Sequence, residues 1–311
     1  MTDRASKKRI KIVYVGGSGR CGSTLLSLLF SEHPSFFDCG EIKNIWERGI
    51  IENRRCACGD EFCKCSFWSQ VVRDGFGELS PQEVASFAAE AAAVTRYRHY
   101  FKLRQACHDG QRYISEDYLS ALGALYGAIT DATGDRIIVD SSKLAAYARV
   151  LMLLPDVEIF YVNLVRDPRA VVYSWRKKIK YEPGATREMD RFGVLRASLI
   201  WKFAYMTAAD VMKELPGINI KYEDLAQDTA GTMDKILSAI DAWQGGTLPP
   251  VNVGNLTWAN TSHSLSGNPL RFRKGEGIQL DAKWKTDFKG LDALVTATLC
   301  SSEIRRFGYS D

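Results

Sequence analysis

The run Gly16-Gly17-Ser18-Gly19-Arg20-Cys21-Gly22-Ser23-Thr24 holds the residues of this sequence best suited to chemistry. Its glycines let main-chain N–H groups turn toward a common centre. The Ser23 and Thr24 hydroxyls can donate to phosphate oxygens, and Arg20 brings a guanidinium inside the loop. Matched to the phosphate-loop pattern G-x-x-x-x-G-K-[ST], Gly17, Gly22 and Thr24 fall into place, but Ser23 stands where the lysine would. An ATP or GTP enzyme needs that ammonium on the β- and γ-phosphates, so its loss argues against ordinary hydrolysis of a nucleoside triphosphate. With the cation moved to Arg20, the loop suits a 5′-phosphate and the group attached to it. Taken alone, the run also reads as a tight strand-to-helix turn.

A second constellation lies far along the chain, in Asn163-Leu164-Val165-Arg166-Asp167-Pro168-Arg169-Ala170-Val171-Val172-Tyr173-Ser174-Trp175. An apolar strand runs into Arg166, Pro168 suits the first turn of a helix, and Ser174 follows about two turns later. Arg166 and Ser174 could together grip one further phosphate. A third cluster, Cys56-Ala57-Cys58 and Cys63-Lys64-Cys65, holds half of the eight cysteines. Cys56, Cys58, Cys63 and Cys65 could supply four thiolates to a tetrahedral zinc, form a disulfide, or stay as reduced thiols packed in an insert. In a cytosolic protein a metal suits them better than a stable disulfide.

The first two segments, in this order, resemble the sulfotransferase family that uses 3′-phosphoadenosine-5′-phosphosulfate (PAPS). The resemblance implies that Gly19, Arg20, Cys21, Gly22, Ser23 and Thr24 bind the 5′-phosphosulfate, and that Arg166 and Ser174 bind the 3′-phosphate. The product would be adenosine 3′,5′-bisphosphate, and the transfer itself would require no metal. Cys39-Gly40-Glu41 is similar to a segment that carries the catalytic base in the branch acting on protein tyrosines, which implies that role for Glu41. A carboxylate near the transfer site can take the acceptor's proton if burial raises its pKa toward working pH. The other reading of Glu41 is a charge favouring the dipole of a helical segment from Ile42 to Ile51.

Asp140-Ser141-Ser142-Lys143 ends another buried strand, and ligands of a parallel sheet gather at such ends. Asp140, Ser142 and Lys143 should therefore face the same crevice as the loop. The family carries a similar segment near its acceptor, so Lys143 would neutralise sulfuryl oxygens or bind the acceptor. Tyr222-Glu223-Asp224 is similar to a segment in which the tyrosine approaches adenine. Arg273-Lys274-Gly275 looks like the family's late cofactor loop closing over the 3′-phosphate, with Arg271 an alternative. His263 is an alternative base, because cytosolic members acting on small molecules use a histidine, although theirs lies in the middle of the chain.

The elements that must position these groups are legible as patterns. Ile10 to Val15, Ile137 to Val139, Val157 to Val165 and Ile218 to Ile220 read as strands, and Leu25 to Phe30 as an apolar helix start. Ser80-Pro81-Gln82-Glu83 opens a helical stretch to residue 108 as N-cap and first turn, and a second runs from about Tyr118 to Thr130. A helix over about 188–215 places Phe192, Leu195, Leu199, Phe203 and Met206 on one stripe, read as core or crevice wall. The last, about Leu291 to Arg306, would pack through Leu294, Val295 and Leu299, and Trp243 to Lys289 reads largely as loop.

With 311 residues and 46% hydrophobic content, the chain can bury one large α/β core. The resemblance implies a three-layer P-loop-like fold, with a central parallel sheet and helices on both faces. It would span residues 1–311 as one sulfotransferase domain, with a helical, cysteine-rich insert at about 54–130 shaping the acceptor pocket. A net charge of +4 does not imply nucleic acid, and Arg4, Lys7, Lys8, Arg9 and Lys11 read as a solvated arm. No apolar run approaches a membrane span and no signal peptide opens the chain, so cytosol is expected. The acceptor, a hydroxyl or amine on a small molecule, lipid or glycan, is not readable, and neither is the oligomeric state, with which a homodimer is compatible. The rival readings are a P-loop nucleotide or small-molecule kinase and a non-catalytic nucleotide-binding protein.

Overall fold

In the computed structural model, five strands lie parallel in the order β2-β3-β1-β4-β5. They are β1 (Ile10–Gly17), β2 (Phe36–Gly40), β3 (Ile137–Lys143), β4 (Val157–Val165) and β5 (Gly217–Lys221). The residues described are 9–109, 113–182, 188–249, 262–273 and 281–309. Both faces of a parallel sheet are covered by crossover helices, which is why its strands read as unbroken apolar runs rather than alternating ones. Alternate side chains of β1 serve different cores. Ile12 and Tyr14 pack with α5 (Glu116–Thr133) and α6 (Ala145–Leu151), while Val13 and Val15 pack with α1 (Ser23–Ser31) and α10 (Thr229–Gln244). The result is a three-layer α/β fold of the P-loop-like kind.

Strand β1 lies at the centre, with β3 on one side and β4 on the other. The carboxyl ends of these three strands therefore converge, at the place where open α/β sheets bind ligands. Among the described residues, no helix is long and apolar enough to cross a membrane.

The cysteine-rich segment leads into α2 (Ser66–Phe76), α3 (Pro81–Val94) and α4 (Tyr100–His108). At the start of α3 the Ser80 hydroxyl accepts from the Glu83 N–H, the N-cap that the sequence suggests, and the Glu83 carboxylate in turn accepts from the Ser80 N–H. Thr95 caps α3, so the helical stretch to residue 108 is two helices joined by a 3₁₀ turn.

Two apolar stripes are corrected. In α8 (Val194–Val211) the buried face is Ala197, Ser198, Trp201, Ala204, Tyr205 and Ala208, whereas Leu195, Leu199 and Met206 are exposed. At the end of the chain, Leu294 and Val295 are exposed and Thr296, Cys300 and Ile304 are buried instead. In both helices hydrophobicity alone picks the wrong arc. Small residues let α8 approach the helix Leu291–Leu299 closely, and the Ser198 hydroxyl donates to Thr296 Oγ1 there at 3.2 Å.

Candidate active site

The glycine-rich loop between β1 and α1 is shaped by where its glycines fall. Gly22 has φ +100°, caps α1 and offers its carbonyl to the Leu25 N–H at 2.9 Å. A Cβ at Gly22 would lie 2.3 Å from the Tyr222 ring, and one at Gly19 would lie 2.5 Å from the Trp175 ring. Glycine is therefore required at both for the loop to pass beneath aromatic side chains. Gly22→Ala is expected to destabilise the protein by about 1–3 kcal/mol, because it meets both the positive φ and the ring. The urea midpoint measures this, and an unchanged midpoint would refute the assigned backbone.

Behind this loop opens a cavity of about 780 Å³, lined by Gly19, Arg20, Gly22, Ser23 and Thr24 and by Glu41, Lys143, Arg166, Ser174, Tyr222 and Arg273. Groups separated by most of the sequence thus meet at one place. Among the described residues, five cations line it (Arg20, Arg48, Lys143, Arg166, Arg273) against three carboxylates (Glu41, Asp190, Asp281), a balance that favours an anionic occupant.

Arg166 follows β4 and is 7% exposed. Its guanidinium lies 4.4 Å from the Tyr222 ring centroid and its Nη1 donates to the Arg20 carbonyl at 3.1 Å. Asp167 caps α7 (Pro168–Arg176) by accepting from the Arg169 N–H, with Pro168 in the first turn, and the last turn brings buried Ser174 to the cavity. Arg20 has φ +69° and is held against the Trp175 ring, 4.9 Å from its centroid, while its Nη1 approaches Met189 Sδ at 3.3 Å. Burial pulls its pKa below the ordinary arginine value. Among the described residues, Nε and Nη2 of both Arg20 and Arg166 are buried without a hydrogen-bond partner. Arg166 Nη2 lies 3.9 Å from an Asp281 carboxylate oxygen, and the remaining desolvation penalty of these buried guanidiniums is one that an anion in the cavity would relieve, so the residues present fit an anionic ligand.

Opposite the loop, β2 ends and Glu41 enters the cavity. Its main-chain N–H donates to Leu265 O at 2.8 Å. Glu41 Oε1 accepts from Lys143 Nζ at 2.5 Å, and Oε2 accepts from Asn44 Nδ2 at 2.8 Å with Arg48 Nη1 3.8 Å away. Burial by itself raises this carboxyl, but Lys143, Lys43 and Arg48 outweigh it and hold the pKa at about 2. The condition that burial brings Glu41 toward working pH is therefore not met: three cations surround a carboxylate for which the sequence suggests only an apolar run. Lys43, in turn, is lowered by burial to about 8.

Because its folded pKa is depressed from 4.5 to about 2, Glu41 contributes stability that is present above 4.5 and lost as pH falls toward 2. Lys143→Met removes the strongest counter-charge and so weakens the depression of the Glu41 pKa, and the onset of acid unfolding should move to higher pH. Far-UV circular dichroism across an acid titration measures it, and an unmoved acid limb would refute the pairing.

Several expected positions are corrected. Asp140 and Ser142 are buried beneath the crevice rather than facing it: Asp140 accepts from the Ser142 N–H at 2.9 Å and the Tyr126 hydroxyl at 2.6 Å, and burial raises it to about 6. Of that segment only Lys143, with φ +69°, turns into the cavity. Cys21 packs its thiol into the core, where burial raises its pKa. Arg271 is buried outside the cavity, donating to Gly267 O at 3.0 Å and Arg55 O at 3.3 Å, whereas Arg273 lines it. Lys274 and Gly275 lie outside the described residues. One face of Tyr222 is covered by Arg166.

His263 does not line the cavity; it stands with Cys56, Cys58 and Cys65, whose ligand atoms and its own lie within 4.8 Å of one another. Cys63 is exposed and outside that group, so the set of four cysteines is replaced by three cysteines and a histidine. Among the described residues, none from 54–130 lines the cavity, and its outer wall comes from Arg48, Ile179, Tyr181, Met189 and Asp190. Sequence reasoning missed these. Arg48 sits in a π-helical turn, Ile45–Ile51, that brings it back over Glu41, a winding no spacing rule anticipates. Trp175 was within reach, adjacent to Ser174.

The fold and this cavity define a P-loop-like α/β protein with a cavity lined by buried arginines at the strand ends. A family model described as the sulfotransferase family matches residues 13–244, most of the chain, and the chain belongs to that family. No curated protein matches it. Among solved structures, it is similar to the sulfotransferase domain of the Synechococcus PCC 7002 olefin synthase, with 17% identity and a TM-score of 0.51, covering 100% of this chain and 99% of that one. It is also similar to the sulfotransferase domain from the curacin biosynthetic pathway, with 16% identity, a TM-score of 0.50, and 98% and 99% coverage. A sulfotransferase from Mycobacterium avium gives 11%, 0.50, and 98% and 78%. At these identities the likeness is one of fold.

Proposed function

We propose that this sulfotransferase moves the sulfuryl group from 3′-phosphoadenosine-5′-phosphosulfate to a hydroxyl or amine of an acceptor. The observation that carries the reading is the pair of buried arginines, Arg20 and Arg166, which come from two strand ends, line one cavity and each keep guanidinium donors without a hydrogen-bond partner among the described residues. Two guanidiniums braced on different aromatic rings, Arg20 on Trp175 and Arg166 on Tyr222, suit a nucleotide with phosphates at both the 5′ and 3′ positions better than a triphosphate. Serine at the lysine position of the loop points the same way.

In this reading Arg20 stabilises the leaving 5′-phosphate oxygen, while Ser23, Thr24 and the loop amides hold its other oxygens. Arg166, Ser174 and Arg273 hold the 3′-phosphate, as Lys274 and Gly275 would on the resemblance to the late cofactor loop, and Tyr222 braces Arg166. Lys143, beside Glu41, neutralises charge on the sulfuryl oxygens. The bond from sulfur to the acceptor oxygen forms as the bond from sulfur to the 5′-phosphate oxygen breaks, and the acceptor proton passes to Glu41. At pKa about 2 Glu41 is a weak base at rest. As Lys143 turns to the sulfuryl group, Glu41 loses its main counter-charge and becomes more basic, so donor binding prepares proton acceptance.

Radiolabelled PAPS offered with a panel of phenols, alcohols, amines and glycans tests the reaction, with label expected on the acceptor. In parallel, adenosine 3′,5′-bisphosphate should raise the melting temperature more than ATP with magnesium. The reverse order would favour a kinase. Binding without transfer to any acceptor, unchanged in Glu41→Ala, would favour a non-catalytic nucleotide-binding protein.

A further inference from the structure

We propose that Cys56, Cys58, Cys65 and His263 form a structural zinc site that clamps the cysteine-rich segment to the loop carrying one wall of the cavity. The four ligand atoms lie within 4.8 Å of one another. Cys58 Sγ is 3.7 Å from Cys65 Sγ, and His263 Nδ1 is 3.7 Å from Cys56 Sγ and 3.2 Å from Cys65 Sγ. A tetrahedron built on bonds of about 2.3 Å to sulfur and about 2.1 Å to nitrogen has edges of roughly 3.8 and 3.6 Å. These three separations lie close to those edges, and the Cys58–Cys65 pair is far from the ~2.05 Å of a disulfide. Three thiolates and one imidazole form a closed donor set for zinc, with no position left for a substrate.

The surroundings hold these ligands in place. The Gly59 N–H donates to Cys56 O at 2.9 Å and the Cys56 N–H to Asp60 O at 2.8 Å, a tight turn that presents Cys56 and Cys58 together. Cys65 caps the N-terminus of α2, where the helix dipole favours a thiolate. The His263 carbonyl accepts from Trp68 Nε1 at 2.8 Å, and its ring stacks on Phe67 at 5.2 Å. On loading, three thiol protons pass to solvent and the imidazole binds as the neutral ring through Nδ1.

The site joins pieces of chain about two hundred residues apart. Just beyond His263, the Leu265 N–H donates to Cys39 O at 2.9 Å, Ser266 Oγ accepts from Arg48 Nη1 at 2.5 Å, and the Asn268 N–H donates to Thr24 Oγ1 at 3.2 Å. Zinc would thus hold the loop that braces both Glu41 and Thr24, without touching the transfer chemistry.

The full chain, purified under reducing conditions with zinc in the growth medium, should carry about one zinc per chain by plasma mass spectrometry. Cys65→Ser and His263→Ala should fall to background, while Cys63→Ser should keep full content. A mercurial thiol reagent added to the unaltered protein should release that zinc to a chromophoric chelator, and chelation should lower the melting temperature reversibly on adding Zn²⁺. Cobalt loading should give the visible bands of a tetrahedral thiolate site. Background metal in the unaltered protein overturns the proposal, and so does undiminished metal in the two ligand variants or loss of metal in Cys63→Ser.

Discussion

Arg166→Glu is expected to weaken binding of adenosine 3′,5′-bisphosphate by about 10²–10⁴-fold. Each hydrogen bond from a charged donor contributes about 1.5–3 kcal/mol, and two are removed at once. The residue is 7% exposed, stacked 4.4 Å from the Tyr222 ring centroid, and fixed by its bond to the Arg20 carbonyl, so little reorganisation could restore the contact. The new carboxylate would also face Asp281, whose oxygen lies 3.9 Å from Arg166 Nη2, adding repulsion to the lost attraction. Calorimetry with the bisphosphate and with adenosine 5′-phosphate separates the causes, because only the ligand bearing the 3′-phosphate should lose heavily. Arg166→Met, which keeps much of the packing without the charge, should fall between the two. Unchanged affinity in the charge-reversed variant would remove the basis of the proposed nucleotide site.

Glu41→Gln is expected to lower kcat for sulfuryl transfer by about 10²–10⁴-fold, the range for loss of a positioned proton acceptor. Affinity for adenosine 3′,5′-bisphosphate should stay within a few-fold, since the amide keeps the shape and can still accept from Lys143 or Asn44. The substitution also leaves Lys143, Lys43 and Arg48 without their shared counter-charge, so some loss of thermal stability is expected alongside. Those effects separate when activity is measured well below the melting temperature. A kcat close to that of the unaltered enzyme, together with a lowered melting temperature, would show that Glu41 is a structural counter-ion and not the base.

Much of the site was legible in the residues themselves, for a local reason. Gly17, Gly22 and Thr24 mark a strand-turn-helix, Pro168 marks a helix start, and Arg20 and Arg166 sit within these short motifs, so their placement follows from turn and cap geometry over a few residues. That the strands lie parallel follows from the same alternation of apolar strands and helices, whereas their order, with β1 between β3 and β4, came only from the structure. What lay outside local rules was the company each group keeps. That Arg271 props a loop while Arg273 lines the cavity depends on Arg55 and Gly267 lying beneath one of them. That His263 joins three cysteines, and that Cys63 does not, depends on how a distant loop docks.

By itself the sequence determined a parallel α/β scaffold, the glycine-rich turn from β1 to α1 and the placing of Arg20 and Arg166 beside strand ends, because backbone conformation and apolar periodicity are encoded by neighbouring residues. Only the tertiary structure decided the protonation balance of Glu41, the removal of His263 from the cavity and the identity of the outer wall. Those depend on desolvation and on charges that meet across long stretches of chain, and such encounters leave no trace in local spacing.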